Sequence, residues 1–163
     1  MKKTSGAQEI ILAVGLPGAG KSTYFARRGI RPLASDDLRE LLLDDAADQS
    51  NPALVFATLR RLLAARLVLG RRRTYVDATS LTPRERRPYI LLARRHSARG
   101  GRAVAVRAIF FDVPLETCLA RNRARRAGGG RRVPLRVMQA MARKLVPPTR
   151  AEGFASITVV RSH

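Results

Sequence analysis

The sequence predicts an α/β protein: a three-layer sandwich with a central parallel β-sheet of about five strands and helices on both faces. Three observations predict it. Short apolar, β-branched runs alternate with helix-patterned segments along the whole chain, the order that builds strand–helix–strand units. Ala103–Phe111 is a nearly continuous apolar run, the mark of a strand buried on both faces. The first strand also runs straight into a glycine-rich turn that opens a helix. A length of 163 residues favours a single domain over 1–163, and 45% hydrophobic residues can build a core.

The elements follow in order. Glu9–Val14 is a strand ending at Gly15, and a helix runs from about Lys21 to Arg28. Ile30–Ser35 reads as a short strand, Asp36–Leu43 as a short helix and Asp44–Ser50 as an acidic, polar loop. Asn51 can cap a helix with Pro52 at its first position, reaching about Leu69. Leu54, Val55, Leu59, Leu62, Leu63 and Leu67 recur there at helical spacing, and Gly70 ends it. Thr74–Val76 is a strand reaching Asp77. Thr82, Pro83 and Glu85 form a capping box for a helix to about Ala98, which stops at Gly100–Gly101. Pro114 opens a helix to about Arg126, and Pro134 another to about Leu145. Between them, Ala127–Val133 is rich in glycine and arginine, with Val133 its one core residue. Ser156–Val160 closes the chain as a strand.

The first turn carries chemistry. Gly15, Leu16, Pro17, Gly18, Ala19, Gly20, Lys21 and Ser22 have the Walker A spacing, followed by Thr23. Glycines let backbone N–H groups turn inward around phosphate oxygens, and the helix presents its positive end to the same anion. Lys21 would bridge the β- and γ-phosphates, and the Ser22 hydroxyl would sit on Mg²⁺. A strand before and a helix after complete the context, which makes the sandwich a P-loop NTPase. The expected donor is ATP or another nucleoside triphosphate.

The second strand ends in Ser35, Asp36, Asp37, Leu38 and Arg39. Ligands of open α/β sheets sit beyond the carboxyl ends of the strands, so Asp36 lies near the phosphate loop and can accept the proton of an attacking hydroxyl. Arg39, one helical turn on, can hold a phosphate or the nucleophile. Against this, Asp36 or Ser35 could simply cap the helix. Asp77, ending the third strand, stands where a carboxylate would hold Mg²⁺ directly or through water; a hydrogen-bonded turn aspartate is the plainer alternative. Arginines flank Gly128–Gly130, and a segment of about 121–133 reads as a lid. Arg121 and Arg125, at i and i+4, share a helix side and suit the lid role; Arg123 and Arg126 suit a solvated face. His96 reads as a surface residue and Cys118 as core.

Composition narrows the partners. Lys+Arg number 32 and Asp+Glu 12, a formal charge of +20, and 28 of the basic residues are arginine. Residues 1–58 are net neutral, so the whole excess follows them. Such a charge suits nucleic acid, an anionic membrane surface or phosphorylated substrates, although an arginine-heavy proteome gives the same sum. There is no apolar run near 20 residues and no apolar leader. A single Cys excludes a disulfide framework and a Cys-rich zinc site; the expected setting is reducing and cytoplasmic, without a membrane partner.

With these residues in place, the sequence resembles the 5′-hydroxyl polynucleotide kinase family of P-loop phosphotransferases, most of all the N-terminal kinase domains of bacterial RNA-repair polynucleotide kinase-phosphatases. GLPGAGKST (15–23), SDDLR (35–39), DDAADQ (44–49), VDATSL (76–81), RRPYILLA (86–93), FDVPLETCLARNRAR (111–125) and RAEGF (150–154) carry the resemblance across essentially the whole chain. It implies that Lys21 and Ser22 bind donor phosphates and Mg²⁺, and that Asp36 is the general base for the 5′-OH of RNA or DNA. It implies that Arg39 contacts the acceptor, and that Arg121, Arg125 and, beyond the glycine run, Arg131 hold donor phosphates. No phosphatase motif of the D-x-D-G-T type occurs, so a stand-alone kinase, or a kinase domain working with phosphatase or ligase modules, is expected. Two other functions compete: a P-loop kinase acting on a sugar, nucleoside or antibiotic hydroxyl, and a nucleotide-binding regulatory module without transfer.

Overall fold

The computed structural model describes residues 7–125 and 132–161. Among them, strands β1 (Gln8–Val14), β2 (Leu33–Ala34), β3 (Arg73–Asp77), β4 (Val104–Asp112) and β5 (Ser156–Arg161) form one parallel sheet in the order β2-β3-β1-β4-β5. The helices are α1 (Lys21–Arg27), α2 (Ser35–Leu43), α3 (Pro52–Val68), α4 (Pro83–Ala98), α5 (Leu115–Ala124) and α6 (Leu135–Lys144). The expected α/β sandwich is present, with five strands and helices on both faces.

The period-two alternation of β1 builds both cores. Ile10, Leu12 and Val14 face one way, against Val55, Leu59 and Leu63 of α3 and Ile90 and Ala93 of α4. Ile11 and Ala13 face the other way, against Phe25 of α1, Cys118 of α5 and Met138 of α6. The helical stripe expected on α3 divides accordingly: Val55, Leu59, Leu63 and Leu67 are buried, while Leu54 and Leu62 lie on the outer face.

Some boundaries differ from expectation. β2 is two residues long, because Pro32 offers no N–H to a ladder and Ser35 already belongs to α2. Neither Ser35 nor Asp36 caps α2: the N-cap is Ala34, with no side-chain bond. Asn51 precedes α3 without capping it through its side chain. At α4, Thr82 accepts the Glu85 N–H, but the Glu85 carboxylate accepts the Leu81 N–H instead of closing the box on Thr82. A complete capping box stands at the 3₁₀ turn Arg150–Glu152, capped by Thr149. α5 gives way at Arg125, and Arg126 and Arg131 lie outside the described residues.

Arg86 joins three segments. It is wholly buried and donates to the carbonyls of Ser80 (3.0 Å), Leu81 (3.1 Å) and Val146 (3.0 Å). Its fork also meets both carboxylate oxygens of Glu152, each at 2.8 Å. The loop that follows β3 is thereby tied to the chain beyond α6.

Candidate active site

The carboxyl ends of β1, β2 and β3 converge on one cleft of about 910 Å³. The turn after β1 forms its floor. Gly18 (φ +82°) and Gly20 (φ +95°) are left-handed, a conformation that glycine adopts without strain. Gly18 is also pressed on α5, where an added Cβ would sit 2.6 Å from the Cys118 carbonyl oxygen. Lys21 opens α1 and is buried; its Nζ donates to the carbonyls of Gly15 (3.0 Å) and Leu16 (2.8 Å) across the turn. Burial pulls the Lys21 ammonium below its ordinary range, against the attraction of Asp77.

Asp77 ends β3 beside this turn and accepts the Ser22 hydroxyl at 3.1 Å. Burial holds its carboxyl above the usual carboxylate range, opposed by Lys21 and Ser22, and the nearby Asp36 and Asp37 push the same way as burial. Ser22 and Asp77 offer hard oxygens from two sides, a donor set that fits Mg²⁺, which keeps waters and substrate phosphates as its remaining ligands. Among the described residues, no group of three or more His, Cys, Asp or Glu forms a complete protein cage for a metal. The bond from Ser22, a residue of the phosphate loop and not of Asp77's own turn, sets Asp77 beside that loop and in the cleft lining.

α2 brings Asp36 and Arg39 onto the cleft wall. Arg39 Nη1 donates to Asp36 Oδ1 at 2.8 Å. Arg39 is 5% exposed, yet its Nε has no hydrogen-bond partner. The Arg39 side chain thus lines the cleft with one guanidinium nitrogen engaged by Asp36 and a buried Nε that makes no hydrogen bond.

Arg121 and Arg125, the pair expected to serve a lid, divide between two cavities. Arg125 lines the large cleft, and its charge acts on Lys21. Arg121 Nη1 reaches the Gly18 carbonyl at 3.4 Å and lines a second cavity of about 360 Å³ behind the turn, with Thr23 and Tyr24. Pro17, Gly18, Lys21 and Ser22 face the large cleft, Ala19, Gly20 and Thr23 the small one, and Gly15 lies beneath, against Phe111. Arg131 lies outside the described residues. Cys118 is core, as expected, and burial pushes its thiol up. His96 is half-buried against Gly101 instead of standing free on the surface.

Other residues not singled out by any motif also line the cleft. Gln49, Phe56 and Arg60 come from the acidic loop and α3, Tyr89 from α4 and Lys144 from α6. In the small cavity, the Arg28 guanidinium lies 3.6 Å over the Tyr24 ring, and their i, i+4 spacing was the available signal.

The family model described as "AAA domain" matches residues 10–148. Among solved structures, a Chloroflexus aurantiacus J-10-fl protein provisionally named a kinase has TM-score 0.71 at 15% identity, covering 96% of this chain and 86% of that one. A chain of the Pnkp1/Rnl/Hen1 RNA repair complex has TM-score 0.67 at 22% identity, covering 89% of this chain and 46% of that one. A fungal RNA kinase has TM-score 0.62 at 15% identity, covering 96% and 38%. The present chain thus spans under half of each of the latter two. Their common ground with it is the fold, that of P-loop kinases.

Proposed function

From the chain's membership of the AAA-domain family, with residues 10–148 in its P-loop kinase fold, we propose an ATP-dependent polynucleotide 5′-hydroxyl kinase that phosphorylates RNA or DNA ends. We read it as a single kinase domain working in a reducing cytoplasm, alone or beside phosphatase or ligase modules. One observation carries the proposal: the Asp36–Arg39 pair opens onto the same cleft as Lys21, Ser22 and Asp77. Base and phosphate-binding groups are then in reach of one reacting centre. The Pnkp1/Rnl/Hen1 and fungal RNA kinase likenesses support the choice of acceptor.

In this reading the triphosphate lies on the turn at Gly18–Thr23, with Lys21 leaving the Gly15 and Leu16 carbonyls for the β- and γ-phosphates. Arg125 meets the phosphates from the cleft and Arg121 from the small cavity. Arg39 holds the acceptor and, through its 2.8 Å bond, fixes the Asp36 carboxylate. The 5′-oxygen attacks the γ-phosphorus, the bond from that phosphorus to the β–γ bridging oxygen breaks, ADP leaves, and Asp36 takes the hydroxyl proton. Ser22 and Asp77 would hold Mg²⁺, which when bound neutralises charge on the phosphate oxygens.

The test is transfer of labelled γ-phosphate to 5′-OH oligonucleotides. Wild-type protein is expected to label them, and Asp36→Ala to lose at least about 100-fold in kcat, the usual worth of a positioned base. A folded protein that labels no 5′-OH end, or an Asp36→Ala variant of full activity, would overturn the reading. The apolar wall of Pro52 and Phe56 favours a second reading, a small hydroxylated metabolite as acceptor. Salt-insensitive activity on such a compound, with no oligonucleotide labelled, would select it; ATP binding without any transfer would select a regulatory module.

A further inference from the structure

Three helices, α3, α4 and α6, each present a cation to the cleft. Pro52, Phe56 and Arg60 recur every four residues and make one stripe on α3, roughly 12 Å long at the α-helical rise. Arg84 enters from the first turn of α4, and Lys144 from the last turn of α6. Arg60 of α3 and Tyr89 of α4 line the same cleft.

The carboxylates of the cleft are grouped: Asp36 and Asp37 stand in the first turn of α2 and Asp77 ends β3, where Lys21 and Arg39 also line it. The fourth carboxylate, Glu85, is held by the Leu81 N–H at 2.7 Å. Arg60, Arg84 and Lys144 enter no ion pair among the described residues, whereas Arg39, Arg86 and Arg107 each do. Three uncommitted cations from three helices thus face one cavity, whose volume of about 910 Å³ is near the upper limit for a single small ligand.

We infer that Arg60, Arg84 and Lys144 form a phosphate track that holds the acceptor strand beyond its 5′-terminal nucleotide, so that a chain is a better acceptor than a single nucleotide. The inference rests on the polynucleotide reading above and extends it. Phosphates carry no base identity, so the track selects length and charge, not sequence.

Steady-state phosphorylation of a 5′-OH hexanucleotide and of a nucleoside 3′-monophosphate tests it. The measured quantity is the ratio of their kcat/KM values, with the salt dependence of hexanucleotide KM. Arg60→Gln/Arg84→Gln/Lys144→Gln is expected to lower the ratio about tenfold or more. It should also reduce the log–log salt slope by about 2, near 0.7 for each single-strand phosphate that the removed cations would neutralise. A control, Arg71→Gln/Arg72→Gln/Arg99→Gln, removes the same charge from the opposite end of the sheet and should leave the ratio within about twofold. An unchanged ratio in the first variant, or an equal fall in the control, overturns the track while the kinase reading stands. Wild-type protein that phosphorylates neither acceptor overturns the kinase reading, and the track with it. Circular dichroism and thermal melting of both variants, whose replaced side chains are exposed except for the half-buried Arg60, keep the comparison between folded proteins.

Discussion

The positions of Lys21, Ser22, Asp36 and Arg39 were legible residue by residue because they follow from spacing within single segments. A glycine turn before a helix puts Lys21 and Ser22 at its mouth, and one helical turn joins Asp36 to Arg39. Phe56 and Tyr89 were not, since nothing local to either marks a cleft, and for Arg60 and Lys144 the sequence left a strand track and a solvated surface equally open; all four meet only when α3, α4 and α6 pack. Cys118 shows the other side of the same logic. Its apolar helix side announced burial, and burial both removes it from reagents and raises its thiol pKa, so little thiolate exists near neutral pH. Iodoacetamide at pH 7.5 should alkylate Cys118 at least about 100-fold more slowly in the folded protein than in guanidinium chloride. Equal rates by mass spectrometry would contradict its placement beneath the phosphate turn.

At the scale of elements, the helices were read well and their joints less well. Helical periodicity and proline positions announce α3 and α4, but capping depends on where a side chain lands by an ångström or two. Arg86 is the largest omission. An arginine in an arginine-rich segment reads as solvated, yet here it is fully buried and joins the loop after β3 to Val146 and Glu152. Its value lies in what its loss would strand: a mostly buried carboxylate and three carbonyl groups. Arg86→Met should cost about 3–5 kcal/mol in urea unfolding, the range for breaking a buried pair from one side. Because the same loop follows Asp77, catalytic rate should fall even below the melting transition. A loss under about 1 kcal/mol would show the network to be dispensable.

For the whole molecule, the net charge of +20 divides into separate tasks. Arg39, Arg60, Arg84, Arg125 and Lys144 line the large cleft, Arg121 the small cavity, and Arg86 lies in the interior. Among the described residues, no helix is long and apolar enough to cross a membrane, so the arginine surface flanks no such helix. Nucleotide binding should register globally, since a ligand specific for the folded state adds about 2.7 kcal/mol at 100 times its Kd. That corresponds to a rise in melting temperature of roughly 5–10 °C for a chain of this size. ATP with Mg²⁺ should produce this shift in wild-type protein, and Lys21→Ala should abolish most of it. A shift that survives in Lys21→Ala would place the nucleotide elsewhere.

By itself, the sequence determined the strand–helix alternation, the phosphate turn and the Asp36–Arg39 step, because periodicity, glycine conformation and helical spacing act over a few residues. It also determined the sum of the charge. Only the tertiary structure decided where that charge goes. The order β2-β3-β1-β4-β5 sets the Asp36 helix beside Asp77 and Ser22, and the packing of α3, α4 and α6 turns scattered arginines into one lined cleft. It divided Arg121 from Arg125 and buried Arg86 as well. The reason is physical: burial and convergence depend on contacts between residues far apart in the chain, and no local pattern encodes the distance between two helices.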